Sequence, residues 1–466
     1  MGSNGFKLPL GWNCKKLVDC TKEGNISYGI VQPGQHQEDG IGIIRVNNIQ
    51  NGNIYIDDVL KVSHEIESKF AKTRLEGGEV LLTLVGSTGI SAITTKALQG
   101  WNVARAVAVI KPCDEISAEW IHICLQSPFT KYFLDSRANT TVQKTLNLKD
   151  VKEIPLPIPP HEERVSLEKI YFNFENRINL NIKINKILEE MSQNLFKSWF
   201  VDFDPVVDNA LDAGNPIPEA LQSRAELRQK VRNSADFKPL PAEIRSLFPS
   251  EFEETELGWV PKGWTLKSVA KSININPSIK LPKNKIAKYV DMKSLPTQGY
   301  SISDIIEKPY SGGAKFQNND TLFARITPCL ENGKTGFVDF LDEKETAFGS
   351  TEFIVMRGTP QVHYLYVACL ARENNFRLHA IQNMVGSSGR QRVQNSCFDS
   401  FYIAIPTPAV MSLFSGKVSS YFDKMYFCNL ENKSLTALRD TLLPKLISGE
   451  LSLDDLPDLT TDTEAA

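Results

Sequence analysis

The sequence of 466 residues lacks any long apolar run. No stretch approaches the roughly 18 apolar residues that a membrane-spanning helix needs. Residues 1–12 show no basic start followed by an apolar run, so we expect no secretory signal. The eight cysteines form no C-x-x-C pair, and the six histidines have no paired ligand spacing. We therefore predict structural thiols in a reducing cytoplasm and neither a disulfide framework nor a zinc site.

Catalytic motifs are missing as well. Gly333-Lys334-Thr335 is similar to the end of a phosphate-binding loop, but Pro328 stands where its first glycine is required. The sequence contains no H-E-x-x-H, no G-x-S-x-G and no Asn/Asp-Pro-Pro-aromatic tetrapeptide of an amino-methyltransferase. Carboxylate–lysine triplets such as residues 342–344 are common by chance and are better interpreted as solvated charges. The pattern favours a binding protein or scaffold over an enzyme.

The chain repeats itself. Gly11-Trp12 returns as Gly263-Trp264, 252 residues later. Leu-Pro-Ile-Pro at 156–159 returns as Ile-Pro-Thr-Pro at 405–408, and Asn-Lys-Ile-Leu at 185–188 returns as Asn-Lys-Ser-Leu at 432–435. The three landmarks keep their order at nearly one offset, which indicates duplication of a unit of roughly 200–250 residues.

Each copy combines a mixed α/β part with a long helix that follows a proline-rich stop. Apolar residues in both helices recur with an alternating 3,4 spacing, and Asn181 and Asn432 fall on the seam. This spacing is typical of a coiled coil, in which a polar seam residue fixes the register. The alternative is a helix packed on its own domain. The two matched copies favour helices that pack on each other, and the intervening globular part allows an antiparallel pair.

Charge is segregated along the sequence. The formal total is −3, but the proline-containing segment 202–257 and the tail after residue 449 together carry −12, which leaves +9 on the rest. The second globular part, residues 258–404, carries +6, and the first, residues 7–150, carries +1. We interpret segment 202–257 as a linker with a helix over 219–231 and the tail as disordered. The folded parts are basic enough to bind DNA phosphates.

Five short segments resemble the specificity subunit of type I restriction–modification systems. They lie at the start, middle and end of the chain and read LPLGW (8–12), IPLPIPPHEE (154–163), LFKSWFVDFDP (195–205), ELGWVPKGW (256–264) and LLPKLISGEL (442–451). The segment from 208 to 254 departs from this pattern, and its role stays unassigned.

The resemblance implies an α+β chain with a pseudo-twofold internal repeat. Two mixed α/β target-recognition domains would be separated by two long helices that form an antiparallel coiled coil. The implied segments are a first target-recognition domain (1–158), a first spacer helix (159–202), an acidic linker (203–257), a second target-recognition domain (258–408), a second spacer helix (409–449) and an acidic tail (450–466).

The resemblance also implies the function and the partners. The chain would read a bipartite, asymmetric double-stranded DNA target and hold two modification subunits, which methylate adenine, together with restriction subunits that cleave DNA. S-adenosylmethionine, ATP and Mg²⁺ would bind those partner subunits, and this chain would carry no catalytic site, metal or cofactor.

Base and phosphate contacts need cationic, amide and hydroxyl side chains. Two donor-rich segments are the main candidates, and we name them recognition segment 1 (137–144) and recognition segment 2 (386–392). The predicted DNA-binding residues in these segments are Arg137, Asn139, Thr140, Thr141, Gln143, Lys144, Ser387, Ser388, Arg390, Gln391 and Arg392. Secondary candidates are Lys69, Lys72, Arg74, Ser87, Thr88, Lys315, Arg325 and Lys334.

Large apolar residues at the ends of the helices are the candidates for partner binding. We expect Trp12 and Trp264 to pack in the cores, whereas Trp199 and Phe200 fit either a core or a docking patch for a modification subunit. Leu442 and Leu446 are further docking candidates. Two rival functions stay open: a coiled-coil scaffold that does not read DNA, and a nuclease or methyltransferase with a cryptic active site.

Overall fold

The computed structural model describes residues 8–137, 145–235, 237–387, 389–448 and 450–453. The chain divides into two compact units, Met1–Ile178 with Lys433–Ala466 and Asn179–Asn432. Each unit thus joins a globular part to a stretch of both long helices, whereas the predicted segments treat the helices separately. No helix in the described ranges has the length and apolar character needed to cross a bilayer.

The first unit contains eleven strands and four short helices among its described residues, followed by the first long helix. The strands are β1 Asn13–Lys16, β2 Thr21–Tyr28, β3 Ile41–Ile44, β4 Ile49–Gln50, β5 Asn53–Ile54, β6 Leu60–Val62, β7 Val80–Thr83, β8 Ser91–Ile93, β9 Asn102–Val103, β10 Val107–Pro112 and β11 Pro155–Ile158. The helices are α1 His64–Ser68, α2 Ala118–Gln126, α3 Pro128–Asp135, α4 Leu148–Lys152 and the long α5 His161–Phe196.

The second unit is larger. Its helices are α6 Asp204–Ala213, α7 Gln222–Arg232, α8 Ala242–Arg245, α9 Val269–Ser272, α10 Tyr364–Arg372, α11 Asn374–Gln382 and the long α12 Pro408–Ser448. Its strands are β12 Phe252–Thr255, β13 Gly258–Pro261, β14 Thr265–Ser268, β15 Asn274–Ile275, β16 Ile286–Val290, β17 Ile306–Pro309, β18 Ala314–Phe316, β19 Thr321–Ala324, β20 Thr335–Phe337, β21 Ala347–Gly349, β22 Phe353–Arg357, β23 Met384–Val385, β24 Arg392–Val393 and β25 Tyr402–Ile405.

The two units share one sheet topology. The four-stranded antiparallel sheet β2-β10-β7-β8 of the first unit matches β15-β22-β19-β20 of the second. A second sheet, β6-β3-β9, matches β17-β16-β21, and each contains one parallel pair. That pair joins Ile43 to Asn102 in the first unit and Tyr289 to Phe348 in the second, so both positions differ by 246 residues. Equivalent positions of these strands are therefore separated by nearly the same number of residues as the sequence landmarks, which recur after 247 to 252 residues.

Helix α5 begins at His161 and α12 at Pro408, and the two helices contact each other within each unit. Helix α5 follows Pro159 and Pro160, and acidic residues in its first turn suit the positive end of the helix dipole. In the first unit, Glu175 of α5 pairs with Arg439 of α12. In the second unit, the Nδ2 of the fully buried Asn181 donates to Asn432 Oδ1 at 2.9 Å.

The predicted core tryptophans are confirmed. Trp12 is 7% exposed and Trp264 is 4% exposed. The Trp12 ring meets Trp120 edge to face at 6.1 Å between ring centroids, and its indole N–H donates to Glu163 at 3.0 Å. Each tryptophan therefore joins the start of its globular part to the core of the same unit.

The segment predicted as a linker is folded onto the second unit. Aspartates spaced four residues apart on α6 form ion pairs with arginines spaced four residues apart on α7, and the pairs are Asp204–Arg224, Asp208–Arg228 and Asp212–Arg232. Because every pair is separated by 20 residues, the two helices run parallel. The three aspartates of α6, which contribute to the acidic composition of the predicted linker, are therefore neutralised within the fold.

A buried histidine in the first unit makes its stability depend on pH. His122 Nδ1 lies 2.9 Å from Ser91 Oγ, and burial, followed by the charge of Arg439, lowers the pKa of His122 to about 4. The unfolded chain therefore takes up the proton first, so the stabilisation is complete above pH 6.5 and is lost as the pH falls towards 4. The loss amounts to roughly 3 kcal/mol at about 1.4 kcal/mol per pKa unit.

We expect the wild-type chain to lose about 2–3 kcal/mol more unfolding free energy than His122→Gln between pH 7.5 and pH 4.5. Denaturant unfolding of the full chain at several pH values measures this difference, since glutamine cannot titrate. Parallel pH profiles for the two proteins would contradict a neutral, buried His122.

Candidate nucleic-acid interface

Recognition segment 2 is pinned beside the central strand of the main sheet. Ile326, just after β19, forms an isolated antiparallel bridge with Arg392. Thr327 N–H donates to the Gln391 carbonyl at 3.1 Å, and Gln391 N–H donates to Thr327 Oγ1 at 3.0 Å. The structure thus brings Arg325, Gln391 and Arg392 together at one end of this sheet, as a shared binding role requires.

The first unit has the same arrangement. Val85, just after β7, forms an isolated antiparallel bridge with Thr145, the residue that follows recognition segment 1. Leu146 N–H donates to the Leu84 carbonyl at 2.8 Å. Ser87 and Thr88 occupy the turn between β7 and β8, two residues beyond the bridge, and Ser87 is exposed. The turn hydroxyls and Thr145 therefore share one edge of the first unit.

A cleft of about 470 Å³ lies beside recognition segment 2 in the second unit. Its lining includes Lys315, Arg325, Asn276, Ser278 and Thr351. The Arg325 Nη2 donates to the Val393 carbonyl at 2.7 Å, which holds the guanidinium at the cleft wall. Two cations with amide and hydroxyl groups form a donor set that suits phosphate oxygens and base edges.

Arg392 is held by contacts with neighbouring groups of the same unit. Its guanidinium makes a bidentate ion pair with Glu352, with Nε and Nη2 lying 3.0 and 2.8 Å from Oε1, and the Glu352 carboxylate raises the pKa of Arg392. Its Nη1 donates to the Arg390 carbonyl at 3.2 Å. Arg390 itself is exposed, and its N–H closes a turn on the Ser387 carbonyl at 3.0 Å. Arg392 thus supports the turn that presents Arg390, and its own contact with DNA stays a prediction.

Two further predicted DNA contacts are held by groups of the same unit. Arg74 pairs with the buried carboxylate of Glu67 at 2.8 Å through Nε, and this ion pair lowers the pKa of Glu67. Lys334 Nζ donates to three backbone carbonyls at 2.8 to 3.2 Å. These side chains have structural contacts that they would have to break to reach DNA, so their role in DNA binding stays a prediction.

The other predicted DNA-binding residues differ in how exposed their side chains are and in the contacts that they already make. Lys72 is exposed, Lys69 is exposed and paired with Glu65 at 3.0 Å, and the Arg137 guanidinium lies 3.6 Å from the ring centre of Phe133. Several members of the recognition segments lie outside the described residues, namely Asn139, Thr140, Thr141, Gln143, Lys144 and Ser388.

The predicted docking residues are mostly interior. Trp199 is 2% exposed and packs edge to face on Phe248 at 5.0 Å, while Phe200 is 6% exposed and lies 4.8 Å from Phe414. Of the two open interpretations for this pair, the core is the correct one. Leu446 is buried and Leu442 is partly buried in the core of the first unit. A surface role for Trp199, Phe200 and Leu446 is therefore wrong, because their apolar area is already covered.

The sequence interpretation missed a lysine-rich edge of the second unit. Lys280, Lys283 and Lys285 are exposed just before β16, and Lys308 lies on β17. The charge of +6 on residues 258–404 and the run K-L-P-K-N-K at 280–285 could have identified this edge. Among the described residues, no group of three or more His, Cys, Asp or Glu side chains is arranged to hold a metal ion. The described site can bind an anion by its donors.

The chain is similar in sequence to known proteins. Residues 28–190 match the family model described as type I restriction modification DNA specificity domain. The chain is 25% identical over 409 residues to the type I restriction enzyme HindI specificity subunit of Haemophilus influenzae, covering 82% of this chain and 88% of that one. It is 23% identical over 464 residues to the MjaIX specificity subunit of Methanocaldococcus jannaschii, covering 97% and 96%. The solved type I restriction–modification S subunit from M. genitalium aligns with 96% of this chain and 97% of that chain, at 12% identity and a TM-score of 0.49.

Proposed function

Since this chain belongs to the specificity subunits of type I restriction–modification systems, we propose that it reads a bipartite, asymmetric DNA target and assembles modification and restriction subunits on it. Residues 1–158 and 258–408 are the two target-recognition domains of this proposal. One observation carries it: in both units the residue just beyond the equivalent sheet strand, Val85 or Ile326, bridges a residue that lies in a recognition segment or directly follows it. The side chains differ between the copies, so the two half-sites differ.

The long helices are the proposed spacer. We propose an antiparallel coiled coil with pseudo-twofold symmetry that fixes the gap between the half-sites. The contact between Asn181 and Asn432, with Asn185 Nδ2 donating to Asn429 Oδ1 at 2.8 Å, supports this arrangement. Paired seam asparagines favour one register, because any shift leaves an amide without its partner.

The outer surface of the helices is the proposed docking face. In the second unit, Ile187 and Met191 on α5 and Phe427 and Leu430 on α12 are exposed, with Phe427 at 62%. Such exposed apolar side chains on helices suit the apolar stripe of partner helices. We propose that two modification subunits dock here, which replaces the interior residues predicted from the sequence.

In this proposal, the partner subunits catalyse methylation and cleavage of the DNA. The modification subunits would bind S-adenosylmethionine and methylate adenine, and the restriction subunits would use ATP and Mg²⁺ to cleave DNA in the cytoplasm. This chain contributes base contacts, phosphate contacts and the spacing between them. The specificity of the assembly then depends on its side chains alone.

The test is co-expression of the full chain with the modification subunit of its own organism. We expect a stable complex that binds its target duplex at least 10³-fold more tightly than random duplex, whereas the chain alone methylates and cleaves nothing. Gel filtration and a binding titration at fixed salt measure both properties. Assembly without sequence selectivity would favour the scaffold, and activity of the chain alone would favour the cryptic enzyme.

Phe427→Ser tests the docking face in the same experiment. Because Phe427 is 62% exposed, this variant should fold normally and should lose the modification subunit during gel filtration. Leu227→Ser, 48% exposed on α7, is the matched control and should retain it. Equal retention by both variants would remove the helix surface from the proposal.

A further inference from the structure

One side of the second sheet of the second unit carries lysines over aromatic rings. Residues paired across strands share a side of the sheet, and the pairs Ala287–Lys308 and Lys315–Phe348 therefore place both lysines on the side of Phe348 and Tyr289. Lys308 Nζ lies 3.2 Å from the Tyr289 ring centre, and Lys315 Nζ lies 6.0 Å from the Tyr310 ring centre. The rings hold these ammonium groups without neutralising them.

Three more lysines come from the loop before β16. Leu281, 8% exposed, anchors that loop in the cluster formed with Ala287 and Phe348. The loop is also tied to Tyr310, because Asn284 N–H donates to the Tyr310 carbonyl and Tyr310 N–H donates to the Lys285 carbonyl. Lys280, Lys283 and Lys285 are exposed on it. We name these residues, with Lys308 and Lys315, the lysine face.

The lysine face has little negative charge beside it in the described part of the chain, where the charge of Lys285 interacts with that of Glu345. Within the described ranges, none of its five lysines forms an ion pair with a carboxylate. By contrast, Lys288, on the opposite side of β16, pairs with Glu345 at 2.9 Å. Asp291, close to Tyr289, is the carboxylate on the same side, where burial and then this acid raise the pKa of Tyr289. A surface with this excess of positive charge is stabilised when it meets an anion.

The backbone geometry of Gly313 places Lys315 where the lysine face meets the cleft that Arg325 lines. Gly313 has φ +111°, and a Cβ there would lie 1.9 Å from the Gly349 carbonyl oxygen. Only glycine therefore lets β18 approach β21 this closely, and Lys315 follows two residues later. Lys315 also lines the cleft with Arg325. The lysine face is continuous with the recognition site.

In the described part of the first unit, the equivalent positions do not form a lysine face. At the spacing of 246 residues that relates β16 and β17 to β3 and β6, Lys280, Lys283, Lys285 and Lys308 correspond to Gly34, Gln37, Asp39 and Val62. The strand register agrees, because Ile41 pairs with Val62 as Ala287 pairs with Lys308. Duplication of one fold has therefore left four lysines at these positions of one copy and an aspartate but no lysine at those of the other.

We propose that the lysine face binds the phosphates of the duplex DNA that flanks the second half-site, without reading its sequence. The DNA that flanks the first half-site has no such phosphate contacts. The inference rests on the proposed function. Lysine suits the task because its ammonium is a point charge that binds phosphate in many orientations. The second unit then supplies most of the salt dependence of binding, and the first unit depends more on its base contacts.

The test removes four lysines from the assembled complex. In K280Q/K283Q/K285Q/K308Q, affinity for target and random duplex should fall by the same factor, roughly 10- to 100-fold at 0.1 M salt. The slope of log affinity against log salt should become shallower by about 3 to 4, at about 0.9 per lost phosphate contact. The methylated sequence should not change. Lys315 is left intact because it lines the cleft.

The matched control is K15Q/K16Q/K22Q/K111Q in the first unit, where each lysine pairs with a carboxylate. Both variants change the net charge by −4. Equal losses in the two would show an effect of total charge and overturn the lysine face. An unchanged salt slope or an altered base preference in the lysine-face variant would also overturn the lysine face. The proposed function would still stand in that case if the wild-type complex is selective for its target. A wild-type complex without selectivity would defeat both.

Discussion

Trp199→Ala is expected to lower the free energy of unfolding of the second unit by about 3–5 kcal/mol. The side chain is 2% exposed and packs between Phe248, Phe200 and Phe414, with ring centres 5.0 to 6.2 Å apart. Its removal would leave a cavity where the end of α5 meets α12 and the folded segment after α6. Thermal unfolding of the full chain should show a midpoint lower by roughly 10 °C.

Trp259→Ala is the control for that result. Trp259 lies on β13 and is 39% exposed, so its loss should cost less than about 1 kcal/mol. If Trp199→Ala unfolded like the wild type but failed to hold the modification subunit, Trp199 would be a docking residue and the core assignment would be wrong.

Arg390→Ala is expected to weaken binding of the assembled complex to its target by roughly 10- to 100-fold, the value of a good base contact of about 1–3 kcal/mol. Arg390 is exposed in recognition segment 2, and Arg392 and Glu352 hold the turn that presents it. Because the side chain is exposed, the melting temperature should not change. A binding titration on target and single-base variants measures the loss.

Arg390→Lys separates base reading from phosphate binding. Lysine keeps the charge but lacks the planar fork that binds guanine through two hydrogen bonds. We expect this variant to keep the salt slope and to lose discrimination at one position of the target. Full recovery of selectivity would mean that Arg390 contacts phosphate, and unchanged affinity in Arg390→Ala would remove it from the interface.

Periodic and local features of the fold were predictable from the sequence. The proline stop before His161 and the acidic first turn set the start of α5, and the 3,4 spacing places Asn181 on the seam. The Gly-Trp repeat marks equivalent core positions. These features depend on neighbours along the chain or on one helix face, so the sequence carries them directly.

The partners of charged residues were less predictable, because they depend on contacts between distant strands. Glu352 holds Arg392, which is 40 residues away, and three carbonyls near residue 293 hold Lys334. Composition likewise suggested a linker for residues 203–257, since it could not show that α6 and α7 pair their charges in register. Trp199 fitted a core or a surface equally well until its ring contacts were known.

The most direct test of the central claim is a map of methylated adenines in DNA from cells that contain the modification subunit and this chain. We expect methylation at one bipartite, asymmetric sequence, and we expect this methylation to be lost when the chain is absent. Replacing residues 386–392 by glycine and serine should change one half of that sequence and leave the other half and the spacing intact. Methylation of the same sequence without the chain would show that the chain does not select the target. A change in both halves after replacement of residues 386–392 would show that the second domain does not read one half alone.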